Sequence, residues 1–177
     1  MSRRNGVFQK VAVPAESAIT VALKRHDYLD AYEVQLSQPE LQVCDAYVAI
    51  FCNPPAWVQS LMNLRGRMAV RLGLTHPFDV PAMLPDDRPR FELGQRVGSF
   101  TVQAIYPNEL IVGDDDKHLN FRISTLKTVR EGKSCITVST VVEIHNTLGR
   151  AYMFIVKPFH RFLAPYMLRR AASSGSL

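Results

Sequence analysis

The hydrophobic positions change period near the middle of the chain. Around Ala31 to Leu36 a short apolar stretch reads as a first strand, after which Ser37 and Pro39 supply a helix start and Leu41 to Phe51 reads as helical until Asn53-Pro54-Pro55 stops it. A second helix is predicted from Trp57 to Leu72. Trp57, Leu61, Leu64 and Met68 recur every three or four residues on one face, Arg65, Arg67 and Arg71 lie largely away from it, and Gly73 follows as a stop. Turn-forming residues crowd from Thr75 to Pro89 and predict an irregular loop.

From about Arg96 the pattern alternates, the signature of half-buried strands. Phe100, Val102, Ala104 and Tyr106 are expected on one face, with a turn at Pro107-Asn108 and a return strand from Leu110 and Val112. Gly113 to Asp116 reads as the next turn. Leu119, Phe121 and Ile123 then oppose His118, Asn120, Arg122 and Ser124, and Glu131-Gly132 closes a hairpin into a strand carrying Ile136, Val138, Thr140, Val142 and Ile144. Four strands joined by short turns imply an antiparallel meander. At the C-terminus Leu148, Tyr152, Ile155, Phe159, Phe162, Leu163 and Tyr166 fall on one side of a helix, with Arg150, Lys157, Arg161 and Leu168 opposite. Asn146 or Thr147 can cap it, and Pro158 and Pro165 are expected to bend or break it. The fold class expected is therefore α+β: an antiparallel sheet gripping a long C-terminal helix, with two shorter helices after the first strand.

Length and composition bound this picture. At 177 residues the chain is expected to form a single domain over 1–177, ordered from about 14 to 170 with loose termini. A hydrophobic fraction of 47% against 21% charged residues excludes a disordered chain. The net charge of +5 comes from scattered Lys and Arg, so a nucleic-acid partner is not expected. No apolar run long enough to cross a bilayer or to serve as a secretory signal is present, and a cytoplasmic location is the expectation. Cys44, Cys52 and Cys135 form no CxxC pair and read as small buried hydrophobes.

The run Asn108-Glu109-Leu110-Ile111-Val112-Gly113, the run Asp116-Lys117-His118-Leu119-Asn120-Phe121-Arg122, and later Asn146-Thr147-Leu148-Gly149-Arg150-Ala151-Tyr152 leading to Lys157-Pro158-Phe159-His160-Arg161 resemble the uncharacterised bacterial family catalogued as domain of unknown function 2867. The resemblance spans roughly Asp30 to Arg170 and includes Pro55-Ala56-Trp57. It implies a fold similar to the START-like, or Bet v 1-like (SRPBCC), helix-grip superfamily, in which a curved sheet wraps a long C-terminal helix around a cavity. Some chains of the family look like fusions to a short-chain-reductase-type domain, so association with a reductase-type or other protein partner is a further expectation. No GxGxxG follows a strand here, and no cofactor is expected.

Candidate chemistry is sparse. Asp116 and His118 lie two apart, and His118, Asn120 and Arg122 share a face that reads either as solvated or as the polar wall of a pocket. His160 beside Pro158 is a second candidate to meet the cavity. Trp57, Tyr106, Tyr152, Phe159 and Tyr166 can line an apolar pocket with polar tips or serve as plain core. The candidate pocket is thus Trp57, Tyr106, His118, Arg122, Tyr152, Phe159 and His160. The five histidines show no HxH or HxxxH spacing, so no metal is expected, and neither a GxSxG elbow nor an activated cysteine appears, so no catalytic residue is assigned. The leading expectation is a module binding a small hydrophobic ligand between sheet and final helix. The alternatives are an isomerase, hydratase or cyclase acting on a small carbonyl compound, a protein-pairing module, and, last, an interfacial lipid binder.

Overall fold

The computed structural model describes residues 8–71 and 90–177. It is an α+β fold: a curved, seven-stranded antiparallel sheet packed against a long C-terminal helix, with shorter helices after the first strands. In chain order these are β1 (Phe8–Lys10), β2 (Tyr28–Gln35), α1 (Val43–Tyr47, continued by a π-helical turn Val48–Cys52), α2 (Ala56–Arg71), β3 (Arg96–Val97), β4 (Phe100–Tyr106), β5 (Glu109–Asp115), β6 (Leu119–Arg130), β7 (Lys133–Ile144) and α3 (Thr147–Ser173). The sheet order is β1-β2-β7-β6-β5-β4-β3, so β2 lies beside β7, β6 is the central strand, and β3 to β7 run as a meander. The loop expected over Thr75–Pro89, and Gly73 before it, lie outside the described residues.

Alternation decides which face is buried where. Tyr28, Asp30, Tyr32 and Val34 of β2 align with Val142, Thr140, Val138 and Ile136 of β7, and these with Phe121, Ile123 and Thr125 of β6, on the face that meets α3. Leu110, Val112, Val102 and Phe100 extend the same core toward β3. The hairpin at Glu131-Gly132 has φ of 51° and 74° at its two central residues, the backbone that a tight two-residue turn requires. Gly113 to Asp115 stay inside β5, contrary to the turn expected there, because each pairs with β6; the reversal comes after them, before Leu119.

A register shift between Val102 and Ala104 overturns the single face expected for Phe100 to Tyr106. Beyond it Ala104 pairs with Ile111 and joins the outer-face cluster of Ile19, Leu23 and Val141, while Tyr106 is exposed at the end of the hairpin. That outer face is covered by the segment before β2, whose short 3-10 helix (Ala18–Val21) is fixed by Glu109. The buried Glu109 carboxylate accepts hydrogen bonds from Ser17 Oγ at 2.5 Å, Ser124 Oγ at 2.5 Å and the Ala18 N–H at 2.8 Å.

Helix α3 is one element from Thr147 to Ser173 with both prolines inside it, so of the two outcomes expected, a bent helix or a broken one, it is not the broken one. Pro158 is on the exposed side, where the carbonyl it leaves unbonded can be hydrated. Its buried stripe is Gly149, Tyr152, Met153, Met167, Leu168 and Ala171. Leu168, expected opposite, is 1% exposed because the C-terminal half of the helix packs into the same core as Val43 to Cys52. Phe154 and Phe162 instead face outward. The tail, expected to be loose, is docked: Leu177 is buried, its carbonyl accepts from the Ser37 N–H at 3.2 Å, and Gln38 Nε2 donates to the Gly175 carbonyl at 2.7 Å.

Candidate functional site

Between the inner face of the sheet, α2 and α3 lies a cavity of about 330 Å³. Its floor is Leu119, Phe121, Ile123, Thr140 and Val142, α2 contributes Val58, Leu61 and Met62, and α3 closes it with Tyr152, Met153, Val156 and Leu163. Leu64, Ile155 and Phe159 line it and are also exposed, which places its mouth between the two helices. The face of β6 that looks inward is therefore the apolar one. Asn120 and Arg122 point to the outer side, and His118 lies just before the strand.

One wall is polar. Asp30 stands in mid-strand and is 6% exposed; its Oδ2 accepts from the Tyr28 hydroxyl at 2.5 Å and its Oδ1 lies 3.3 Å from His160 Nε2. The Tyr28 and His160 rings meet edge to face at 5.7 Å, Lys157 Nζ sits 5.4 Å from the Tyr28 ring centre, and Thr140 is the cross-strand partner of Asp30. Tyr28, Thr140 and His160 line the cavity, with the carboxylate behind them. Burial alone pushes the Asp30 carboxyl up, but the hydrogen bond and charge of His160, then the Tyr28 hydroxyl, outweigh it and hold the group below its usual range. Burial, followed by the hydrogen bond to Asp30, raises the Tyr28 phenol well above its ordinary value, so it stays a donor.

A stability prediction follows. A carboxyl whose folded value is lowered stabilises the fold above its unfolded value of about 3.9, and that contribution is lost as pH falls through the folded value. Asp30→Asn is expected to cost roughly 1–3 kcal/mol at pH 7, with the gap to the parent protein narrowing below about pH 4, as read from urea unfolding at both pH values.

Of the residues expected to form the pocket, Tyr152, Phe159 and His160 line the cavity. Trp57 sits beside it in a ring cluster with Phe162 at 6.3 Å and Tyr166 at 5.0 Å, half exposed. Tyr106 is carried away by the register shift in β4. Arg122 lies on the outer face, where its guanidinium grips Asp115 at 2.7 and 3.1 Å. It crosses Gly113 to do so: a Cβ on that glycine would come within 3.0 Å of Arg122 Cδ and 2.0 Å of the Phe121 carbonyl. His118 is held at the start of α3, where Asn146 Nδ2 donates to its Nδ1 at 2.9 Å and to the Lys117 carbonyl at 3.2 Å, while Asn146 Oδ1 caps the helix by accepting from the Gly149 N–H at 3.0 Å. The motifs containing His118 and Asn146 thus meet in a joint that orients α3.

Burial pushes the Cys52 thiol up to about 11 and raises those of Cys44 and Cys135, so all three are poor nucleophiles at neutral pH. Among the described residues no group of three or more His, Cys, Asp or Glu converges as a metal site, and no helix is long and apolar enough to cross a membrane.

Sequence reasoning missed Asp30 and Tyr28. Their i, i+2 spacing on a strand was a usable signal for a shared face, but nothing local joined them to His160 across 130 positions.

A search of curated proteins finds no match. Among solved structures, protein Ms6760 from Mycobacterium smegmatis is similar at 13% identity and a TM-score of 0.42, over 82% of this chain and 93% of that one; at that score the likeness bears no weight. The model of the protein family of unknown function DUF2867 matches residues 22–167, a span holding both the capping joint and every residue that lines the cavity, and the chain belongs to that family.

Proposed function

We propose that this protein is a START-like binding module that holds a small hydrophobic molecule in the cavity between its sheet and α3. The observation that carries this is the cavity itself. About 330 Å³ is large enough for a small ligand, its walls are mainly apolar, and Tyr28, Thr140 and His160 set polar groups together on one wall, the usual build of a small-molecule site. A space of this size in a core otherwise packed to near-crystalline density costs stability and needs a reason. The sheet gripping a terminal helix around a cavity also supports the helix-grip resemblance.

The test is a fluorescence titration with 1-anilinonaphthalene-8-sulfonate, competed with 2-decanone. The expected result is saturable binding at one site per chain, displaced by the ketone. Absent or unsaturable enhancement overturns the reading and moves the choice to a protein-pairing module.

One observation favours an enzyme as the second reading. An imidazole braced by a buried carboxylate in an apolar cavity is an arrangement suited to moving a proton next to a carbonyl. Incorporation of deuterium beside the carbonyl of 2-decanone in heavy water, abolished by His160→Gln, would support it; exchange no faster than in buffer rejects it for this ketone.

A further inference from the structure

We propose that α2 and the outer side of α3 form a face that docks onto the surface of an anionic phospholipid bilayer, with its exposed rings set into the interface. The fold segregates charge. Neither helix holds an Asp or Glu, whereas α2 carries three Arg and α3 carries four Arg and one Lys. These are eight of the 21 Lys and Arg, so the two helices bear a formal +8; the other 13, set against all 16 Asp and Glu, leave the remainder of the chain at −3. Both helices cover the same face of the sheet around the cavity, so charge that is dispersed along the sequence is gathered on one side of the molecule.

Apolar groups stand out from that same side. Phe154 is 84% exposed and Phe162 is 62% exposed, and with Pro158 between them they make an i, i+4, i+8 row along the outside of α3. Arg150, Lys157 and Arg161 run beside this row at i, i+7 and i+11. On its other flank Phe162 meets the half-exposed Trp57 of α2. Rings in the middle with a basic edge are the pattern of a helix that lies in a membrane interface without crossing it. The phosphates of a nucleic acid satisfy the basic groups but leave the rings in water. A bilayer takes both, since anionic headgroups meet the basic groups and the acyl boundary just beneath receives the rings. The cavity mouth at Leu64, Ile155 and Phe159 opens in this face, so an apolar molecule passing from the lipid enters without crossing water. That passage rests on the reading that the cavity holds a ligand; the docking does not.

Trp57 is the single tryptophan of the chain and stands on the proposed face, so the parent protein reports its own docking. The full chain is titrated with large unilamellar vesicles of phosphatidylcholine alone, or of phosphatidylcholine and phosphatidylglycerol in equal parts. Binding to the anionic vesicles is expected to be at least about tenfold tighter than to the neutral ones, and to weaken by at least about fivefold when salt is raised to about 0.5 M. Trp57 emission is expected to move to the blue and to be quenched when the lipid acyl chains are brominated. Phe154→Ser is expected to weaken vesicle binding by at least about fivefold, and Arg150→Glu with Arg161→Glu by at least about tenfold. Val129→Ser, at an equally exposed apolar position on the β6–β7 hairpin, is expected to leave it unchanged. Equal binding to both kinds of vesicle, or a loss with Val129→Ser as large as with Phe154→Ser, overturns the assignment. Absence of vesicle binding also overturns it; a concentration-dependent dimer in sedimentation then gives the face to a second copy, and retention by poly-glutamate gives it to an acidic protein. Phe154 lies outside the cavity lining, so Phe154→Ser is expected to bind 2-decanone as the parent does, and failure of docking is thereby told apart from failure of the cavity reading.

Discussion

Gly149→Ala is expected to destabilise the protein by about 3 kcal/mol, seen as a lower urea midpoint at an unchanged slope. The reason is the joint at the start of α3. A Cβ at this position would lie 2.2 Å from the His118 carbonyl oxygen and 3.0 Å from Ile144 Cγ2. The first of these is backbone, and it is held: the His118 carbonyl accepts from the His145 N–H at 2.9 Å, closing the β6–β7 end of the sheet. Relief requires either moving that strand end or lifting the first turn of α3, which breaks the Asn146 cap. The loss of a cap alone costs about 1 kcal/mol, and the displaced packing of the neighbouring Tyr152 and Met153 adds to it. Arg150→Ala, one position further on an exposed site, is the control and is expected to change stability by no more than about 0.5 kcal/mol.

Ala164→Phe is expected to weaken binding of 2-decanone at least a hundredfold while changing stability by less than about 1.5 kcal/mol. Ala164 is on α3 and lines the cavity, and an added ring has empty volume to enter. Overpacking is costly where a core is full. Here the ring replaces void, and the apolar area it buries offsets the side-chain entropy it loses. Calorimetric titration together with urea unfolding separates the two effects: lost binding at retained stability marks the cavity as the binding site, whereas unchanged binding places the ligand elsewhere.

The contrast between these two positions shows what could be read from the chain. The strands β6 and β7 were legible because a face buried under α3 forces strict alternation, and Leu119, Phe121 and Ile123 advertise it. The cap of α3 was legible to within one residue, Asn146 or Thr147, because capping is local chemistry, and it is Asn146. Tyr106 was misplaced because a one-residue shift in register, invisible in composition, inverts every later side chain in β4. Leu168 was assigned to the wrong side because the stripe was drawn through Ile155, Phe159 and Phe162, which are exposed or at the cavity mouth instead of in the core. Of the polar wall only His160 was anticipated. Its meaning depends on Asp30 and Tyr28, which reach it through the pairing of β2 with β7 and the laying of α3 across them, contacts that no spacing within one segment encodes.

The methionines offer the most direct measurement of the central proposal. Of the six in the chain, Met62, Met153 and Met167 line the cavity, so methyl-13C methionine reports on its interior without altering a single side chain. On titration with 2-decanone the expected result is saturable movement of those three assigned methyl resonances together, with one shared affinity. Binding of the ketone that leaves all three unmoved would contradict a ligand site between the sheet and α3.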